Sequence, residues 1–259
     1  MGDDTSTQVI IGKVVEMYWS WFRIAAAVTA FSGVVAGFIV NVDRAARQSE
    51  VLGDVLANYF SLFTIVSTLL SIAALLAAAA WSLRHPGTTP EPQTIVLALA
   101  AVSGPIFLLG LVYNLLLRGL PSAIALGDSA GIALLDKYAA ETLHVVMPIY
   151  FLLDLLLAPR RRGLPWWALG VLVGYPVAWV TYTMVRGERV ANPDGTTPWW
   201  YPYPFLDPHI AGGYRSPLLY IAVMTAGFLA IGAMIIAIDR FREKRATRRH
   251  TPASGAIVI

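Results

Sequence analysis

Six stretches of this chain stay apolar for about 20 residues each, the length a helix needs to cross a hydrocarbon core. In lipid every backbone N–H and C=O must find its partner inside the segment, so runs of this kind fold as helices. They fall at about 18–40, 55–82, 94–117, 139–158, 165–186 and 216–239. They predict an all-α, polytopic membrane protein, a six-transmembrane-helix bundle. A polar N-terminal segment is expected over 1–17, the transmembrane domain over 18–240, and a basic, disordered C-terminal tail over 241–259. The first run is long enough to stay as an anchor, and no cleavable leader is expected. A hydrophobic share of 57% against 14% charged residues leaves no room for a separate soluble domain. Without cysteine, disulfides, thiolate nucleophiles and cysteine metal sites are excluded.

Six crossings put both termini on one side. Eleven of the 19 Lys and Arg residues fall on that side, seven on the other, and Arg23 lies within helix 1. The positive-inside bias therefore predicts cytoplasmic termini. The sequence pI of 9.2 is explained by these edge residues, and no nucleic-acid partner is expected.

Four groups that can carry charge near neutral pH lie inside the runs: Arg23, Glu141, His144 and Asp154. Ionisable groups at membrane depth are costly and usually face a protein interior or a wet cavity. Arg23 and Asp154 lie near the same end of the bundle and are expected to pair or to snorkel. His144 sits in the run that holds three of these four groups, 139–158, with Glu141 one turn before it and Pro148 four residues after. Proline cannot donate to the His144 carbonyl, so the helix should loosen there and leave a polar group for water or a ligand. Glu141 either orients the imidazole or is a solvated end residue.

In the second run Asn58, Ser61, Thr64, Thr68 and Ser71 recur at three- and four-residue steps and share one helix face. The bland reading of Ser61, Thr68 and Ser71 is hydrogen bonding to their own helix or a neighbour. Thr64 and His144 are both expected in the same half of the bundle, about 13 Å and about 8 Å from its surface at helical rise. Tyr113 and Asn114 end the third helix on that side. So does the loop TTPWWYPYPFLDPHIAGG, a candidate lid. A threonine becomes a nucleophile when a base takes its proton, and histidine is the usual base near neutral pH.

The stretches YFSLFTIVST, ETLHVVMPIYFLLD, VTYTMVRG and WYPYPFLDP resemble the androgen-induced gene 1 protein family, in particular its bacterial branch of six-helix membrane proteins. The resemblance covers about Trp19 to Arg240. Characterised members of the family are intramembrane threonine hydrolases of fatty acid esters of hydroxy fatty acids. The resemblance implies Thr64, in the FT of helix 2, as nucleophile and His144, in LHVVMP, as base. Bacterial relatives tend to read F-T-I-x-S-N, and this chain has Thr68 in place of the asparagine.

The function expected is thus an intramembrane lipid ester hydrolase acting on an amphiphilic ester within the bilayer. Supporting or substrate-binding candidates are Asn58, Ser61, Ser67, Thr68, Tyr113, Asn114, Glu141, Tyr203 and Asp207. No oxyanion donor is identified, with Asn114, Tyr113 and backbone near Pro148 as candidates. One intramembrane histidine without a carboxylate cluster is a poor ligand set, so no metal and no cofactor are expected. The alternative is a non-catalytic lipid-binding or transport protein. The location expected is the cytoplasmic membrane if the chain is bacterial.

Overall fold

The structure is a computed structural model that describes residues 3–87, 89–119, 127–210 and 212–250. All its elements are helical, with no strand among the described residues: α1 (Asp3–Gln48), α2 (Leu52–Tyr59), α3 (Phe63–Arg84), α4 (Gln93–Val112), α5 (Ala130–Glu141), α6 (Met147–Leu157), α7 (Ala168–Gly187) and α8 (Arg215–His250). Two π turns, Tyr113–Leu117 and Thr142–Val146, extend α4 and join α5 to α6. Six helices are long and apolar enough to cross a membrane, one for each apolar run, with α5, the second π turn and α6 forming a single span.

Proline and short polar stretches set the helix limits. His85 and Pro86 end α3, and Pro92 caps the start of α4. The core is formed where α1, α3, α4 and α6 meet, around Leu75, Leu99, Met147 and Phe151. A second cluster joins α4 and α6 to α7 and α8 through Val96, Leu155, Leu172 and Ile235.

Three expectations change. Residues 3–17 are not a separate segment but the first turns of α1. The basic tail is helical as far as His250, because α8 carries on past Arg240, while 251–259 lie outside the described residues. The second run is also not one helix. The chain breaks at Phe60–Leu62, where Leu62 turns extended (ψ 135°) and α3 restarts at Phe63. Asn58 and Ser61 therefore leave the face shared by Thr64, Thr68 and Ser71.

Gly33 and Gly37, four residues apart on α1, let neighbouring helices approach closely. A Cβ on Gly33 would meet Thr142 and Leu143 at 3.0 Å, and one on Gly37 would meet the Tyr59 hydroxyl at 2.9 Å. The same spacing at Gly170 and Gly174 carries no such contact.

Arg23 and Asp154 do pair, Nε to Oδ1 at 2.9 Å, but they do not snorkel. Both side chains are 1% exposed or less, and Arg23 also pairs with Glu91. Asp154 accepts from Trp19 Nε1 at 2.9 Å and from Arg161 Nη1 at 2.9 Å, and Arg161 Nε reaches Asp239 at 2.6 Å. Alternating charges thus tie α1, α6, α8 and two loops at one end of the bundle. Breaking such a chain strands a buried charge.

Candidate functional site

The break before α3 governs the position of Thr64. It is the second residue of that helix rather than a mid-helix residue, so the depth expected from counting into a continuous helix does not apply. The first backbone bond spanning the new helix is Val66 N–H to Leu62 O, at 3.0 Å. The N–H groups of Phe63 and Thr64 precede that ladder, as the leading N–H groups of any helix do. They face the hydroxyl of Tyr203, which also interacts with the Thr64 side chain. Burial raises the Tyr203 hydroxyl above the ordinary tyrosine value, and those Thr64 and Phe63 groups partly oppose it.

His144 sits in the middle of the second π turn. Its Nδ1 lies 3.0 Å from the Ala140 carbonyl, which can only accept. Nδ1 therefore carries a proton, and when the ring is neutral Nε2 keeps its lone pair. Tyr113 stacks on the imidazole with ring centres 4.6 Å apart.

The His144 carbonyl is not left for water or a ligand. Asn114 Nδ2 donates to it at 3.0 Å and to the Gly110 carbonyl at 2.8 Å, replacing the donor that Pro148 lacks. Asn114 Oδ1 accepts from Arg118 at 3.0 Å, and Arg118 forks onto Glu141 at 2.6 and 2.7 Å. Glu141 therefore does not orient the imidazole. It anchors, through Arg118 and Asn114, the backbone that carries it. Asn114, with both amide hydrogens engaged, is also no oxyanion donor.

Gly110 makes this close approach possible. A Cβ there would lie 2.5 Å from Pro148 Cγ and 3.1 Å from the His144 carbonyl oxygen. The proline ring cannot rotate away, so Gly110→Ala should push α4 off the π turn. We expect a loss of about 1–3 kcal/mol, the usual cost of overpacking, read by thermal unfolding in detergent. A wild-type melting curve would contradict this packing account.

Thr64 and His144 meet at one cavity of about 890 Å³, its open mouth included. Tyr113 and Tyr203 are its other polar-tipped aromatics, and α7 and α8 complete it with Trp179, Met224 and Phe228. Among the described residues no hydrogen bond joins Thr64 to His144 directly. The α8 wall has no signal in the sequence, since its apolar residues look the same whether they face lipid or a cavity.

The other candidates lie off this wall. Thr68 and Ser71 donate back to the carbonyls of Thr64 and Ser67, at 2.7 and 2.8 Å, and Ser61 to Ala57 at 2.6 Å, as their bland reading had it. Ser67 meets the Tyr175 hydroxyl at 2.8 Å. Asn58 accepts from Arg186 at 2.7 Å. Asp207 accepts from the His209 backbone N–H at 2.8 Å and shapes the loop only.

That loop reaches into the cavity through Tyr203, Phe205 and Leu206. Glu188, at the end of α7, holds its far side. It accepts from Tyr201 at 2.8 Å, from Tyr214 at 3.3 Å and from His209 Nε2 at 3.1 Å. These donors, Tyr201 foremost, hold the Glu188 carboxyl below its usual range. A depressed carboxylate contributes to the fold above its unfolded value and loses that contribution as pH falls through the folded one. Tryptophan fluorescence from the Trp199–Trp200 segment should thus hold steady down to about pH 4.3 and change below it. Glu188→Gln should show the low-pH signal at neutral pH. A transition well above that range would count against the clamp.

The fold and this cavity define a polytopic α-helical membrane protein with a polar pair on an apolar chamber. Comparison with family models, with curated proteins and with solved structures finds no match.

Proposed function

We propose that the chain is an intramembrane lipid ester hydrolase with Thr64 as nucleophile and His144 as base, as its resemblance to the androgen-induced gene 1 protein family implies. The observation that carries this reading is a mostly apolar cavity with Thr64 and His144 both on its wall. Such a chamber suits an amphiphilic ester whose hydrocarbon never leaves lipid, such as a fatty acid ester of a hydroxy fatty acid.

In the reaction, Thr64 Oγ attacks the ester carbonyl and His144 Nε2 takes its proton. The oxyanion displaces the Tyr203 oxygen from the N–H groups of Phe63 and Thr64, at the positive end of α3, and the Tyr203 O–H turns to donate to it. His144 then returns the proton to the departing alkoxide as the C–O bond breaks, leaving an acyl-threonine. Water, deprotonated by the same Nε2, attacks that ester and frees the acid and Thr64. The basic bias of the termini and of the loop after α6 favours cytoplasmic termini, with the site toward the opposite face of the plasma membrane if the cell is bacterial.

A non-catalytic lipid-binding role is the second reading, and the missing Thr64–His144 hydrogen bond favours it. Resting hydrolases often tighten such bonds only with substrate, so the point does not decide the matter. Labelling of the detergent-purified protein with a fluorophosphonate does. Label that maps to Thr64 and is lost in Thr64→Ala and His144→Ala supports hydrolysis. A folded wild type that takes no label, or takes it equally in both variants, leaves lipid binding.

A further inference from the structure

A second polar cluster lies beside the cavity, at the end of α7. Arg186 donates from Nη2 to Asn58 Oδ1 at 2.7 Å, and its guanidinium lies over the Trp200 ring at 5.2 Å. Its Nη1 is buried without any partner, and so are Asn58 Nδ2 and Thr183 Oγ1. No carboxylate pairs with Arg186 among the described residues, whereas the buried Arg23, Arg160 and Arg161 each pair with at least one. Glu188, two residues on, is already held by Tyr201, Tyr214 and His209.

Arg186 is half-buried, but its Nη1 is buried among unused donors and faces no counter-ion, and an anionic oxygen there would satisfy those donors. The cleft around it, of about 160 Å³ with its open side included, is lined by Ser61, Tyr182, Thr183, Arg186, Trp200 and Pro202. It is narrow as it stands, and Trp200 must swing aside to admit a head group. The cleft also adjoins the cavity. Thr183 follows Val180 of the cavity wall by one helical turn, Pro202 precedes Tyr203, and Trp179 Nε1 donates to the Ser61 carbonyl at 3.0 Å.

We propose that Arg186, with Asn58 and Thr183, binds the anionic oxygen head group, carboxylate or phosphate, of an amphiphile whose chain lies in the cavity. Guanidinium and flanking donors match either oxyacid. The inference rests on the reading of the cavity as a lipid chamber and needs no catalysis. A substrate with a free carboxylate would be held with its head at Arg186 and its chain along the wall that carries Thr64.

The test is a tryptophan-fluorescence titration of the full chain in a non-ionic detergent with oleate, oleoyl lysophosphatidate and methyl oleate. Wild type should bind at least one anion about tenfold or more tighter than methyl oleate, and the tighter anion identifies carboxylate or phosphate. Arg186→Gln should abolish that preference and Thr64→Ala should keep it. Should Arg186→Gln not fold, Asn58→Asp supplies an internal carboxylate and must abolish the preference as well. Equal binding of methyl oleate to wild type, or a preference that survives Arg186→Gln or Asn58→Asp, overturns the proposal. A wild type that takes no fluorophosphonate label at Thr64 but keeps the anion preference would sink the hydrolase reading alone.

Discussion

Thr64→Ala should reduce hydrolysis of a long-chain fluorogenic ester by at least about a thousandfold, because removing a nucleophile removes the covalent route itself. His144→Ala should fall in a similar range, since nucleophile and base act as a unit and their losses do not add. Tyr203→Phe discriminates more finely. If its O–H helps to receive the oxyanion, kcat drops by about a hundredfold with KM little changed. If Tyr203 only fills the space before Thr64, the variant keeps its rate. Each measurement is a steady-state assay on protein that elutes as wild type does. Thr64→Ala turning over at the wild-type rate would end the proposed mechanism.

Asp154→Ala should be the most destabilising single change in the chain, by about 3–5 kcal/mol. Asp154 receives both Arg23 and Arg161, at 2.9 Å each, and is 0% exposed. Its removal leaves two guanidinium groups buried with one carboxylate partner apiece, Glu91 and Asp239. Asp154→Asn, which keeps a hydrogen-bonding oxygen, should fall between the two. The double variant Arg23→Met with Asp154→Leu should recover part of the loss, since an apolar pair strands less charge. Thermal unfolding in detergent reads all three. An Asp154→Ala protein that melts with wild type would show that water reaches this cluster and screens it. The network closes the end of the bundle away from Thr64, so whatever fraction of Asp154→Asn stays folded should still take label at Thr64.

Much of the architecture is carried by periodicity and length alone. Six apolar runs gave six spans, because lipid leaves the backbone no alternative to a helix. The pairing of Arg23 with Asp154 was legible for the same reason: two lone opposite charges near one end of a bundle have few other partners. Thr64 and His144 were legible as chemistry, but not as geometry. Nothing in NYFSLFTIVST announces a break at Phe60–Leu62, since each residue there is acceptable inside a membrane helix. Packing of Phe63 against Tyr175, Trp179 and Phe228 accompanies the restart of α3, and it sets Thr64 at a helix start.

The polar groups around His144 illustrate the remaining difference. Pro148 announces a carbonyl without its donor, and that much is chain chemistry. That Asn114 fills the vacancy, and that Glu141 reaches it only through Arg118, depends on how closely Gly110 lets α4 approach. The orphan donors of Arg186 are invisible in the sequence, where it counts only as one more basic residue at a helix end. Composition and periodicity determined what must be buried in lipid and which side chains could react. Only the tertiary structure decided which of them share a wall and which cation lacks a counter-ion, because contacts between helices depend on the packing of side chains far apart in the chain.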